Sequence, residues 1–223
     1  MTHAYLATPP ASYRGSVRTR PTQGRSARRL DELLDAAADL VDEIGADRLT
    51  TQAVAERAGA SIGTVYRYFP DRVALLNALE LRCVARYRQG LANEMMRREP
   101  ATGWEFLELA IDFNAKMFRT EPGFVVSRAA EREVAQHGRV PEIAERIARF
   151  LELRYGYNGD PEALRLYLSV VVEIVNSLNG VAYHGATRDE RFALEAKSVV
   201  RAYLEPRLGE ALSTRVTRSV DAA

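Results

Sequence analysis

Residues 49–69 read LTTQAVAERAGASIGTVYRYF, and the spacing of their apolar, glycine and hydroxyl residues decides the fold. Thr50 or Thr51 can open a short helix, because a hydroxyl at the N-cap accepts a backbone N–H that the first turn leaves unpaired. Val54, Ala55 and Ala58 share the inner face of that helix. Gly59 ends it with the left-handed conformation a tight turn requires. Ser61 then caps a second short helix, which carries Val65 and Phe69 inward and stops at Pro70. Two short helices joined by a three-residue, glycine-containing turn read as a helix-turn-helix. Gly63 bears no side chain in the first turn of the second helix, so the backbone there is open to close approach. Ser61, Thr64, Arg67 and Tyr68 are left for the outer face.

Upstream, Leu30, Leu33, Leu34, Ala37, Val41 and Ile44 recur at i, i+3, i+4, i+7 and mark an amphipathic helix closed by Gly45. Its opposite face holds Asp31, Glu32, Asp35, Asp39, Asp42 and Glu43. Downstream, Asp71 caps a long helix to about residue 98, with Val73, Leu76, Leu79 and Cys83 on one stripe. Thr102-x-x-Glu105 is a capping box that opens a helix to residue 119. The spacing predicts further helices over 124–136, from Pro141 to before Gly156, and over 160–184, where Asp160-Pro161 supplies an N-cap and a proline at the first position. Thr187-x-x-Glu190 is a second capping box, predicting a last helix that ends before Pro206. No sustained period-2 pattern is present, so the chain should be all-α, with about nine helices.

The composition fits a globular chain of 223 residues, with 47% hydrophobic and 27% charged residues. The formal net charge of +1 conceals an asymmetry. Residues 1–30 hold six arginines and no acid, which leaves 25 basic and 30 acidic groups, a net of −5, on the rest. A basic arm on a mildly acidic body predicts an anionic partner for one end only. Residues 1–24, rich in proline, glycine and arginine without a hydrophobic period, read as a disordered arm. The single cysteine, Cys83, excludes an intrachain disulfide and a cysteine-based zinc site, and its apolar stripe predicts a buried, inert thiol. His137 and His184 fall at predicted helix ends, where they read as caps rather than ligands. No signal-peptide h-region and no run of about 18 apolar residues is seen. The expected location is the cytoplasm.

The helix-turn-helix, with the preceding helix and Asp71-Arg72-Val-Ala-Leu-Leu76 after it, resembles the DNA-binding domain of the tetracycline-repressor (TetR/AcrR) family over about residues 25–76. The resemblance rests on the paired threonines, on Ala-Gly-x-Ser-x-Gly-Thr-x-Tyr-x-x-Phe, and on a basic residue three positions past that Phe. Family members are homodimers whose larger helical C-terminal domain binds a small effector, which usually releases DNA. The resemblance implies that Thr50 and Thr51 touch phosphate and that Gln52 points toward base edges. Ile62, Gly63 and Thr64 would approach the major groove, with Ser61 at the same end. Tyr66, Arg67, Tyr68 and Arg72 would hold the DNA backbone, and Arg25 and Arg28 would add phosphate or minor-groove contacts. Ile62 stands where the family commonly has a polar residue, which predicts an exposed apolar contact and leaves the operator open. Tyr66 and Tyr68 also have a reading as packed core aromatics.

These features divide the chain into an arm (1–24), a DNA-binding domain (25–72), a ligand-binding and dimerisation domain (73–212) and a tail (213–223). The helix predicted over 160–184 is apolar nearly all round, so it must be covered on more than one side. Leu164, Val171 and Leu178 on it, with Phe192, Val199 and Tyr203 on the last helix, are the expected dimer surface. Asn114 falls within the apolar arc of the 103–119 helix. Asn114 and Asn179 are the polar candidates for a ligand pocket, walled by Trp104, Phe113, Met117, Phe118, Phe150 and Tyr183. All of these could equally be ordinary core residues.

The leading expectation is a homodimeric repressor that binds a palindromic double-stranded operator and is released by a small effector, with no cofactor or metal. An effector-independent DNA-binding regulator or activator is the second reading. A helical enzyme is the third, and the chain lacks Gly-x-Ser-x-Gly, Ser-x-x-Lys, His-Glu-x-x-His, Cys-x-x-Cys and P-loop patterns.

Overall fold

The computed structural model describes residues 24–126, 142–183 and 188–215. The arm of residues 1–23, the last eight residues, His137, His184 and Thr187 lie outside the described residues. Among the described residues there are eight α-helices and no strand. They are α1 (Gly24–Ile44), α2 (Thr51–Arg57), α3 (Ile62–Tyr68), α4 (Arg72–Arg98), α5 (Gly103–Thr120), α6 (Glu142–Tyr155), α7 (Pro161–Tyr183) and α8 (Arg191–Ser213). Short 3-10 turns occupy Ala46–Arg48 and Phe124–Val126. The helix expected over 124–136 is replaced at its start by the second of these turns, and its remainder lies outside the described residues.

The caps are set by local chemistry. Thr50, not Thr51, caps α2, its Oγ1 accepting from the Ala53 N–H at 3.0 Å. Ser61 Oγ accepts from Thr64 N–H at 3.1 Å, and Asp71 Oδ1 accepts from Ala74 N–H at 2.8 Å. In the capping box of α5, Thr102 Oγ1 accepts from Glu105 N–H at 3.2 Å. Glu105 Oε2 reaches one residue further back than the motif requires, to Ala101 N–H at 2.7 Å. The second predicted box includes Thr187, which lies outside the described residues; Glu190 itself stands at the N-cap of α8 without a side-chain cap bond. Asp189 instead accepts from the Arg191 N–H at 3.1 Å, and the helix starts there.

Two expectations fail for tertiary reasons. The last helix does not stop at Pro206, since α8 runs through it to Ser213. A proline inside a helix costs about 3 kcal/mol. Leu204, Leu208 and Leu212 continue the buried stripe of Ala196 and Val200, so stopping at Pro206 would expose Leu208 and Leu212. In α4 the buried stripe is Leu75, Ala78, Leu79, Arg82 and Cys83, whereas Val73 is 60% exposed. The inward face is rotated because α4 must meet α1, and Arg82 fixes that meeting. Arg82 donates to Asp35 Oδ1 at 2.6 Å and to the Leu34 carbonyl at 3.0 Å.

α7 is long and apolar enough by length and composition to cross a membrane, which the sequence pattern did not suggest. It packs against α5, α6 and α8, with Leu164, Leu168, Val172 and Val175 buried, as a core helix does. An aromatic cluster closes the far end: Phe106 and Phe150 lie 4.8 Å apart, and the buried Tyr155 donates to the Pro100 carbonyl at 3.1 Å.

Two outcomes follow from this packing. Phe150→Ala should cost about 3–5 kcal/mol in denaturant unfolding, since the Phe150 side chain is fully buried against Phe106. Burial pushes the Cys83 thiol up to about 12, so iodoacetamide at pH 8 should leave it unmodified in the folded protein and label it after unfolding.

Candidate nucleic-acid interface and internal cavity

Val54, Ala55, Val65, Tyr68 and Phe69 are buried and hold α2 and α3 together with α1. Gly59 adopts φ +57° at the turn, as its position demands. The outer surface so produced carries Thr50, Gln52, Ser61, Gly63, Tyr66 and Arg67, all exposed, with Thr51, Thr64 and Arg72 half-buried. Around Gly63 the backbone is open, and the nearest foreign atom to a built Cβ is Ser61 Oγ at 3.9 Å. Gln52 is held by Glu56, to whose Oε1 its amide donates at 2.8 Å. Arg72 spans the start of α4 and the preceding turn, donating to the Ala46 carbonyl at 2.7 Å.

Two residues of the expected interface sit elsewhere. Tyr68 is 1% exposed, because its ring completes the core. Its hydroxyl donates to the Ser26 carbonyl at 3.2 Å, which ties α3 to α1. Ile62 is half-buried against the core rather than a fully exposed apolar contact.

Arg67 guanidinium lies over the Tyr68 ring at 5.1 Å and donates to its hydroxyl at 3.2 Å. Beside it is a surface cleft of about 310 Å³ lined by Arg25, Ser26, Arg29, Thr64, Arg67 and Tyr68. Three guanidinium groups from α1 and α3 thus border one concavity, a geometry suited to phosphate oxygens. Arg29 carries no signal of this role in the sequence. Only the docking of α1 across α3 brings it beside Arg67. Arg28 is exposed on α1 but does not line this cleft. Arg57 faces Glu43 instead, through two bonds of 2.8 and 2.6 Å that hold the Glu43 carboxyl below its usual range.

A second feature lies between α4, α5, α6 and α7. It is an internal cavity of about 60 Å³, lined by Val84, Tyr87, Leu107, Ala110, Ile111, Asn114, Phe124, Ile143, Ile147, Val171, Val172, Val175 and Asn176. Asn114 is therefore a wall residue, as expected. Its Nδ2 donates to Asn176 Oδ1 at 3.0 Å, and its Oδ1 accepts from Asn179 Nδ2 at 2.8 Å. Asn179, also expected, joins through this ladder without lining the cavity, and its Oδ1 is buried with no hydrogen-bond partner.

The other predicted walls are corrected. Trp104 faces α8, where its indole N–H donates to the Gly209 carbonyl at 3.3 Å and Arg201 covers its ring. Phe113 packs against Gly90 and Tyr87, and Met117 is core on the same helix without reaching the cavity. Phe150 belongs to the aromatic cluster at the far end. Phe118 and Tyr183 line a separate outer cleft of about 450 Å³ with Asp42, Glu43 and Phe124. Helical periodicity identifies which residues are inward, but not which neighbour each inward residue meets. Tyr87, Phe124 and Asn176 were missed for that reason.

The expected dimer surface divides likewise. Leu164 and Val171 are buried within the chain, Val171 as a cavity wall. Leu178 and Tyr203 are half-buried, Tyr203 beneath Arg207 and edge-on to Tyr167. Phe192 and Val199 are each 40% exposed. Leu166, Val181 and Leu194, absent from the expected set, extend this exposed apolar surface of α7 and α8.

Comparison with known proteins agrees with both halves of this architecture. Residues 33–79 match the family model for bacterial regulatory proteins of the tetR family. Residues 101–208 match the tetracyclin repressor-like C-terminal domain. A TetR-family transcriptional regulator from Streptomyces coelicolor is 35% identical in its solved structure, with a TM-score of 0.65 over 82% of this chain and 99% of that one. The HTH-type transcriptional regulator BetI of Escherichia coli is 28% identical over 42% of this chain and 48% of its own. The HTH-type transcriptional repressor KstR of Rhodococcus jostii is 46% identical over 22% of this chain and 23% of its own. The chain thus spans half or less of the length of these two curated relatives. The structural match over 82% of the chain and the two family models, on the fold just described, make the chain a member of the TetR family of bacterial transcriptional regulators.

Proposed function

We propose that this protein acts as a homodimeric repressor that binds a palindromic operator through residues 25–72 and lets go when a small effector occupies residues 73–212. The observation that carries DNA binding is the surface of the helix-turn-helix: open backbone at Gly63, exposed Ser61, Tyr66 and Arg67, and three arginines around one cleft. Phosphate contacts from Arg25, Arg29 and Arg67 would fix the register, while Gln52 and Thr64 would reach base edges. Thr50, Thr51 and Arg72 would hold the flanking backbone, with Arg28 and the arm beyond it. Such work is done where the chromosome is, in the cytoplasm.

The exposed apolar residues of α7 and α8 support dimerisation through these two helices. Leu166, Val181, Phe192, Leu194 and Val199 are 40–70% exposed in the single chain. Exposed apolar residues on two mutually packed helices offer area that a second copy can cover. Two-fold symmetry there would place two helix-turn-helix units on successive turns of one DNA face, which is why a palindromic site is expected. One observation favours a second reading, an effector-independent regulator. The cavity of about 60 Å³ is well below the volume of about 300–1,000 Å³ typical of ligand pockets, so any effector must open it.

Three measurements test the reading. The protein should retard operator DNA selected from a random library, with affinity falling steeply as salt rises; salt-independent binding would refute it. Arg67→Ala should weaken that binding about tenfold and lower the salt slope by about one, with the oligomeric state unchanged. The double variant Phe192→Ser with Leu194→Ser should sediment as a monomer and lose cooperative operator binding, while its helical content is retained.

A further inference from the structure

Phe124 is the residue that the internal cavity shares with the outer cleft. Its neighbour Gly123 adopts φ +73° and lies so near α1 that a Cβ there would stand 2.9 Å from Ala38 Cα. The Gly123 N–H donates to Asp42 Oδ1 at 3.1 Å. α1 in turn carries the helix-turn-helix, through Tyr68 hydroxyl to the Ser26 carbonyl and through Arg29 to the Ala58 carbonyl at 3.4 Å. A cavity wall and the helix-turn-helix are therefore joined by two consecutive residues and one rigid helix.

The lining chemistry restricts what the cavity accepts. None of its lining residues carries a charge, and eleven of the thirteen are apolar or aromatic. A charged group would be stranded there without compensation. The polar groups among the lining residues are the Tyr87 hydroxyl and the Asn114 and Asn176 amides, and the amides are able to donate to a hydroxyl oxygen or accept from its proton. Asn179 Oδ1, buried without a partner, shows that the ladder is not fully satisfied by the protein alone.

Size supplies the link to motion. The cavity holds about 60 Å³, less than the roughly 150 Å³ of an apolar protein cavity that takes up benzene. A ring-sized molecule exceeds this space, so seating it fully displaces a wall. Most walls are backed by helix, whereas Phe124, buried and edge-on to Phe118 at 5.0 Å, also borders the outer cleft of about 450 Å³. Resting on the effector reading above, we propose that a compact, uncharged, ring-sized molecule with one hydroxyl-type group occupies the cavity against Asn114 and Asn176, and that its entry drives Phe124 into the outer cleft and withdraws Gly123 from Ala38 and Asp42, shifting α1 and the helix-turn-helix.

Phenol, benzene and benzoate serve as probes, since they differ by a hydroxyl and by a charge on one ring. Calorimetry on the DNA-free protein should detect phenol and, more weakly, benzene, and no benzoate. Asn114→Leu should lower phenol affinity about tenfold and benzene affinity less than twofold. Asn176→Leu gives the same comparison should the first variant unfold, and Ala110→Ile should block both neutral probes. Benzoate binding as tight as phenol, or equal losses for phenol and benzene in both asparagine variants, overturns the ligand assignment. For the relay, saturating phenol should lower operator affinity at least fivefold in the wild type. Asp42→Ala, outside the cavity, should bind phenol as the wild type does but lose most of that drop. An undiminished drop in Asp42→Ala overturns the relay. Phenol binding without any change in operator affinity refutes the effector reading itself and the relay with it, while other compounds releasing DNA without phenol binding would refute only the ligand class.

Discussion

The structure depends on α1 being packed from two sides at once. Its apolar face, Leu30, Leu33, Leu34, Ala37, Ala38 and Val41, is almost fully buried, and no single neighbour covers all of it. The helix-turn-helix takes one part through Tyr68, α4 takes another, and the turn after α5 takes the rest through Gly123. Arg82 makes the arrangement specific. Its side chain is 3% exposed, and it is accommodated because a carboxylate and a backbone carbonyl of α1 receive it. Removing the Asp35 carboxylate would leave a buried cation with backbone carbonyls alone, which is destabilising. The two domains are thereby held in one register, and a change at one end of α1 reaches the other.

The asparagine ladder is the converse case. Asn114, Asn176 and Asn179 sit among valines, leucines and aromatics, where an apolar residue of similar size would pack without a desolvation cost. The amides satisfy one another only in part, through two bonds among three side chains. A core built for stability alone has no use for an unpartnered acceptor such as Asn179 Oδ1. Through Asn114 and Asn176 the ladder reaches the cavity wall, although Asn179 itself does not line it. The remaining walls are aliphatics and aromatics, and Phe124 is the one that also lines the outer cleft.

Helix boundaries and caps were legible wherever local chemistry sets them. Thr50, Ser61, Asp71 and Thr102 act through a hydroxyl or carboxylate within three residues of its partner, so the sequence contains both halves of the bond. Pro206 misled because its effect is also local, while the force overriding it is the burial of Leu208 and Leu212 against distant helices. The candidate DNA surface was legible for similar reasons, since Gly63, Tyr66 and Arg67 lie within one short motif. Tyr68 illustrates the limit. Its place in the motif is apparent, but only the docking of α1 decides that its hydroxyl meets Ser26 rather than solvent.

The sequence by itself determined an all-α chain, a helix-turn-helix near its start and the family to which it belongs, because periodicity, caps and a contiguous motif are all short-range signals. The tertiary structure decided which inward residues face a cavity and which face another helix. Asn114 was placed correctly by its polarity within an apolar arc, yet Trp104, Phe113 and Phe150 on equally inward positions meet α8, α4 and Phe106 instead. Val171 likewise turned from a presumed partner surface to a cavity wall. A hydrophobic period gives the direction of a side chain relative to its own helix axis. What lies in that direction depends on the crossing and spacing of helices far apart in sequence, which no single segment encodes.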